Sequence, residues 1–203
     1  EFPAGSGQRL LANSEFGARF VSLDGVGFIA ERAMYLSQPN YAFLGGHESA
    51  GVNAPAVRWL FAEGATGRLF DEFILVANPG AVDALVEATY LLPDGTVIVK
   101  PYTVAANSRF NIWVDHADPR LADTAVSTTI RSTNGVPVIV ERAMWWPGPT
   151  PATWYEAHNS AGATTTGTRW ALAEGEVDAA RNLETYLLIA NTSATAATVR
   201  VTL

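Results

Sequence analysis

Four blocks of this chain occur twice, in the same order. Ser22-Leu-Asp-Gly-Val-Gly-Phe-Ile-Ala-Glu-Arg-Ala-Met34 returns as Ser132-Thr-Asn-Gly-Val-Pro-Val-Ile-Val-Glu-Arg-Ala-Met144, and His47-Glu-Ser-Ala-Gly51 as His158-Asn-Ser-Ala-Gly162. Arg58-Trp-Leu-Phe-Ala-Glu-Gly64 matches Arg169-Trp-Ala-Leu-Ala-Glu-Gly175, and Phe70-Asp-Glu-Phe-Ile-Leu-Val-Ala-Asn78 matches Leu183-Glu-Thr-Tyr-Leu-Leu-Ile-Ala-Asn191. The spacing is about 110 residues throughout, the size of an immunoglobulin-like sandwich and far longer than a solenoid repeat. Whatever one copy folds into, the other is built to the same plan.

That plan is all-β. Phe73-Ile-Leu-Val-Ala and Tyr186-Leu-Leu-Ile-Ala are short apolar runs, each closed by a turn signal, Asn-Pro-Gly or Asn-Thr-Ser. Residues 85–92 and 96–100 flank Pro-Asp-Gly and read as a hairpin. Asp24-Gly25 and Asn134-Gly135 occupy matching positions where a two-residue turn requires positive φ. One repeat predicts roughly seven strands, at 57–62, 70–77, 85–91, 96–104, 109–114, 125–132 and 136–144, the pattern of an immunoglobulin or fibronectin-III sandwich.

The complete repeat is expected at 57–146. Residues 1–35 read as the last strands of a split repeat and 169–203 as its first strands. Segments 36–56 and 147–168 read as connecting loops rich in aromatics, Gly and Pro. Val199-Arg-Val-Thr-Leu203 aligns with Val86-Glu-Ala-Thr-Tyr90, and Glu1-Phe-Pro-Ala-Gly5 with the Leu91-Leu-Pro-Asp-Gly95 that follows it. Read circularly, the register is continuous. Half a sandwich exposes an apolar face and unpaired backbone, a template for strand addition. Glu1, Phe2, Val199, Val201 and Leu203 are therefore interface candidates. Closure within one chain is the first expectation, exchange with a neighbour the second and an arbitrary boundary the third.

Composition removes several function classes. A net charge of −7, with Lys100 the single lysine, argues against a nucleic-acid partner, which needs a basic face. No apolar run is long enough to predict a membrane span. No N-terminal signal peptide is seen, which fits a cytoplasmic, processed or excised chain, and the lack of cysteine suits an exported one.

Catalytic constellations are thin. His47 and His158 each stand two residues before a serine, Ser49 and Ser160, but no nucleophile-elbow sequence surrounds either, and a structural role in a long loop is the expectation. Asp115-His-Ala-Asp118 offers oxygen and imidazole donors, yet it also reads as a polar turn before Pro119. No metal, no cofactor and no enzyme activity are expected. Glu31-Arg32 and Glu141-Arg142 interrupt apolar strands; alternation sends Glu and Arg to opposite faces. An aggregation-blocking edge strand is the first account of these charges, and a paired charge at a junction between domains is the second.

Aromatics are the stronger lead. Tyr35, Tyr41, Trp145, Trp146, Trp154 and Tyr155 cluster in the two connecting segments and at the strand ends that lead into them, where flat rings suit sugars or a protein partner. Trp59 and Trp170, on the first strand of each copy, are expected in the core.

Together, Trp-Leu-Phe-Ala-Glu-Gly (59–64), Phe-Ile-Leu-Val-Ala-Asn-Pro-Gly (73–80), Thr-Tyr-Leu-Leu-Pro-Asp-Gly (89–95) and Asn-Gly-Val-Pro-Val-Ile-Val-Glu-Arg-Ala-Met (134–144) resemble the tandem Ig-like repeats of large bacterial cell-surface and secreted proteins. The resemblance covers nearly the whole chain. It implies an extracellular β-sandwich array of generally unassigned function and carries over no catalytic residue. The expectation is an extracellular structural module that builds a stalk or filament with copies of itself or neighbouring repeats. A carbohydrate-binding or adhesive module using the loop aromatics is the alternative.

Overall fold

The computed structural model describes residues 11, 13–38 and 41–203. It is an all-β sandwich of two four-stranded antiparallel sheets with a separate hairpin at its flank. The hairpin is β1 (Glu31–Gln38) and β2 (Tyr41–Ala50). The sandwich strands are β3 (Arg58–Phe61), β4 (Asp71–Asn78), β5 (Ala84–Leu91), β6 (Val97–Val104), β7 (Ser108–Trp113), β8 (Ser127–Ser132), β9 (Ile139–Trp146) and β10 (Glu156–Ala161). One sheet runs β3-β8-β5-β6 and the other β10-β9-β4-β7. In immunoglobulin domains the first strand pairs with the second and the last with the sixth. Here the two have traded places, since β3 lies on β8 and β9 on β4.

Period-two patterning builds the core. Along β4 the residues Glu72, Ile74, Val76 and Asn78 point inward, and along β5 Ala84, Val86, Ala88 and Tyr90 do the same. These meet Trp59, Ile112, Ile130, Val138 and Val140 in one buried cluster. Trp59 ties the sheets together: its Nε1 donates to the Val138 carbonyl at 2.9 Å and the Ala56 carbonyl at 3.3 Å. After β10 the chain crosses to the other sheet, where Ala163 and Leu60 exchange backbone hydrogen bonds of 2.7 and 3.0 Å.

All seven sandwich strands read from the sequence are present within a few residues. The two connecting segments, however, are not loops throughout, because β2 lies within 36–56 and β10 within 147–168. Their alternation is weak because Gly, His, Ser, Asn and Glu dominate them, and they are strands because each pairs with the strand before it. His47 and His158 accordingly sit on strands. The edge-strand account of Glu141 and Arg142 is also overturned, since β9 is flanked by β10 and β4.

The largest difference lies at the two ends. No strand follows Ala161 or precedes Glu31 among the described residues. Trp170, expected in the core, is exposed. Its segment keeps the apolar pattern of β3 and β4 but has no opposing sheet to bury it. Glu1 and Phe2 lie outside the described residues, so the pairing proposed for them with Val199, Val201 and Leu203 does too. The last three are exposed. No helix among the described residues is long and apolar enough to cross a membrane.

Candidate functional site

Two neighbouring acids on β4 organise the region, and alternation sends them to opposite faces. Glu72 enters the core, fully buried. Its carboxyl has room because residue 64 is glycine: a Cβ there would stand 2.5 Å from Glu72 Oε2. Neither oxygen makes a hydrogen bond of normal geometry, although the Ala65 amide acts on it. Burial pushes the Glu72 pKa well up, against the pull of the Arg142 charge. Arg142, buried on β9, donates to the Glu63 carbonyl at 2.6 Å and to the Glu63 carboxylate at 2.7 Å. The recurring Ala-Glu-Gly and Glu-Arg-Ala thus interlock, with Glu63 holding Arg142 and Gly64 making space for Glu72. His158 Nε2 stands 3.7 Å from the same Glu63 carboxylate, its pKa lowered by burial and by Arg142.

Asp71 also has little exposed surface, and its Oδ2 accepts the Trp154 indole N–H at 2.6 Å. Trp154 stacks on Trp145 with centroids 4.9 Å apart and meets Phe73 edge-on at 5.8 Å. Phe73 leads to Trp113 at 5.1 Å and Trp113 to His116 at 4.4 Å, while His47 of the hairpin closes the other end against Trp145 at 5.7 Å. Six rings therefore follow one another across the sheet. Trp146 belongs elsewhere, packed edge-on against Phe70 and His158. Tyr155 and Tyr35 are exposed, and the Tyr41 side chain lies outside the described residues.

The hairpin repeats the end of the sandwich. On β1–β2 Glu31 faces Ala50, Arg32 faces Ser49 and Met34 faces His47; on β9–β10 Glu141 faces Ala161, Arg142 faces Ser160 and Met144 faces His158. One hairpin docks on the other. Arg32 donates to Glu141 at 2.7 Å, and the Gly46 amide donates to Glu156 Oε1 at 2.9 Å. An added Cβ at Gly45 would collide with the Tyr155 carbonyl. The second account of the repeated Glu-Arg pairs, a charge pair across a junction, matches the Arg32–Glu141 contact. Burial and the Arg32 charge lower the His47 pKa.

No family model matches this chain, and no curated protein does either. Solved structures supply the similarities. Thermotoga maritima 1070 has 18% identity and a TM-score of 0.47, covering 58% of this chain and 100% of its own. The Anabaena sensory rhodopsin transducer has 24% identity and a TM-score of 0.39, covering 45% of this chain and 99% of its own.

An open cleft of about 380 Å³ beside Asp71 is lined in part by Arg68, Asp115, His116 and Asp123. Two of its acids, Asp71 and Asp115, are already committed to neighbouring groups. Asp115 accepts the Gly67 amide at 3.1 Å and the Glu72 amide at 2.9 Å. Outside the cleft, Asp118 caps the short turn Pro119–Leu121 and pairs with Lys100 and Arg120. No group of three or more metal-ligating side chains forms among the described residues. Sequence reasoning missed Glu72 and Gly64, and read Asp71, which recurs as Glu184, as an ordinary loop charge in preference to a Ca²⁺ ligand. The signal for Gly64 was its repetition as Gly175 beside a glutamate, but Glu72 has Thr185 at its matching position and left no such trace.

Glu72 makes stability depend on pH. Because its native pKa is raised, native and unfolded states are both protonated below about pH 4.3, and the burial then costs no ionisation energy. As pH rises through that value the unfolded state ionises while the native carboxyl keeps its proton, so stability falls until the native pKa is passed. Asp115, also raised by burial, acts in the same sense. His47 and His158, whose pKa values are lowered, act in the opposite sense below about pH 6.5, so the test is the difference between proteins: the urea midpoint of wild type relative to Glu72→Gln should decline between pH 4.5 and 8, and a difference that does not change with pH would refute the assignment.

Proposed function

We propose that this chain is an extracellular structural repeat module of a bacterial surface stalk or filament, without an enzymatic role. Sandwiches built to one plan abut in it through their terminal hairpins. The supporting observation is the docking of β1–β2 on β9–β10, two hairpins of identical register joined by Arg32–Glu141, Gly46–Glu156 and His47–Trp145. Such a contact joins unlike surfaces of like units, and head-to-tail contacts of that kind propagate when the rotation does not close. The likeness to tandem Ig-like surface repeats supports the location. Buried acids that accept backbone amides and an indole N–H fit a scaffold better than a reaction centre.

Antibodies raised against the sandwich should label intact source cells, with immunogold particles along surface projections, and the label should vanish after protease shaving. Labelling that requires permeabilised cells would overturn the reading. A glycan-binding role is the second reading, favoured by the row of rings from Trp145 to His116. Trp145 and Trp154 cover each other, however, and Trp154 is anchored to Asp71, so retention on immobilised glycans is expected to be absent. Retention that disappears in W113A would favour the adhesive module instead.

A further inference from the structure

Resting on the repeat-module reading, we propose that residues 164–203 form a docking surface for a second copy of this chain. The partner's segment 19–38 completes a sandwich there by strand exchange.

Both segments already carry the local geometry of the complete unit. Asn191 repeats the turn of Asn78: its Nδ2 donates to the carbonyl four residues on at 2.7 Å, and its Oδ1 accepts the amide two residues on at 3.0 Å, against 2.8 and 2.9 Å at Asn78. Asp24 repeats Asn134, accepting from the serine hydroxyl two residues before it and the amide two residues after, and Gly25 and Gly135 share a φ of 77°. Trp170 Nε1 donates three residues back to Gly167 at 3.2 Å, as Trp59 does to Ala56. The bond missing from Trp170 is the one that joins the sheets, from Trp59 to Val138. Val138 has Phe28 at its matching position.

What the complete unit buries, these segments expose. Trp59 is 2% exposed and Trp170 72%; Phe61 is 5% and Leu172 74%; Val138 is 0% and Phe28 56%; Ile130 is 0% and Phe20 65%. The two surfaces are complementary in register as well as in apolarity. Charge agrees: Arg142 pairs with Glu63, and the matching pair is Arg32 with Glu174. One Arg32 terminal nitrogen already serves Glu141, while its Nε and second terminal nitrogen have no partner among the described residues and can donate to a second carboxylate.

Within a single chain the two segments are held against opposite sheets. Glu15 binds Arg109 and Asn111 on β7, and Arg32 binds Glu141 on β9 of the same sheet. Thr192, by contrast, meets Arg58 on β3. A second copy can bring its segment 19–38 to the face that the first leaves open.

Light scattering and sedimentation of the full chain across concentration, with R32E and E174R made separately, test this. Wild type should associate, with Trp170 becoming protected from collisional quenching, read as the difference from W170F. Each single variant should weaken association on the order of 100-fold. Mixing the two variants should restore association, because each junction in the mixture then joins opposite charges. A wild-type monomer with Trp170 protected at all dilutions would show closure within one chain, and one with Trp170 always exposed would show no partner; both overturn the proposal. Loss in R32E alone would assign the effect to the hairpin contact with Glu141 and equally overturn it. Surface labelling of cells is independent of all three results.

Discussion

Replacing Arg142 by methionine should cost about 3 kcal/mol or more at pH 7, measured by urea denaturation of the full chain. The side chain is 4% exposed and makes two short hydrogen bonds to Glu63, one to carbonyl and one to carboxylate. Methionine fills similar space, so the loss reports charge and hydrogen bonding and not a cavity. Glu63 retains access to water and recovers part of its solvation. Glu72 does not. It lies on the same inner face of the β4–β9 pair, diagonally across from Arg142, and loses the cation that offsets its burial. The deficit should therefore be smaller at pH 3.5, below the unfolded-state value of about 4.3, where Glu72 is protonated in native and unfolded states alike, and should grow as pH rises toward the raised native pKa. Glu72→Gln should restore part of it at pH 7. A double-mutant cycle between the two positions measures that coupling, and a coupling near zero would separate Glu72 from Arg142. A cost below about 1 kcal/mol for R142M would mean the buried guanidinium has no structural role.

The sandwich was legible because its signals are local. Alternation in 70–77 and 85–91, turn chemistry at Asp94-Gly95 and Asn134-Gly135, and the repetition of both gave strand positions to within a few residues. β2 and β10 were hidden because His47-Glu-Ser-Ala and His158-Asn-Ser-Ala carry no apolar alternation; their strand character comes from pairing with β1 and β9, which composition does not encode. The repeated Glu-Arg looked like edge protection for the same reason: whether a strand is interior depends on what lies beside it, and the neighbour of β9 was itself unread. The aromatic site was half visible. Trp145 and Trp154 were found as a cluster, but their mutual stacking, the anchoring at Asp71 and the turning of Trp146 toward Phe70 depend on a cross-sheet geometry that spacing alone does not supply. Glu72 left no mark at all, because one carboxylate in an apolar strand reads as an ordinary solvated position until Gly64 is seen to make room for it.

Trp59 and Trp170 hold the same position in the two copies, and their substitution by alanine should give opposite results. W59A removes a fully buried indole that packs the core and bonds both Ala56 and Val138, so it should cost about 3–5 kcal/mol and lower the melting temperature by roughly 15 °C or more. W170A, at concentrations where the chain is monomeric, should change stability by no more than about 0.5 kcal/mol, because the ring is already in water. Scanning calorimetry on both variants checks this. The asymmetry then reverses with concentration. Once a second copy covers Trp170, W170A forfeits the core contact that Trp59 already enjoys, and its melting temperature should cease to rise with protein concentration while that of wild type continues to do so. If W170A matches W59A at high dilution, the indole is buried within its own chain and the two copies of the blueprint are both complete in one molecule.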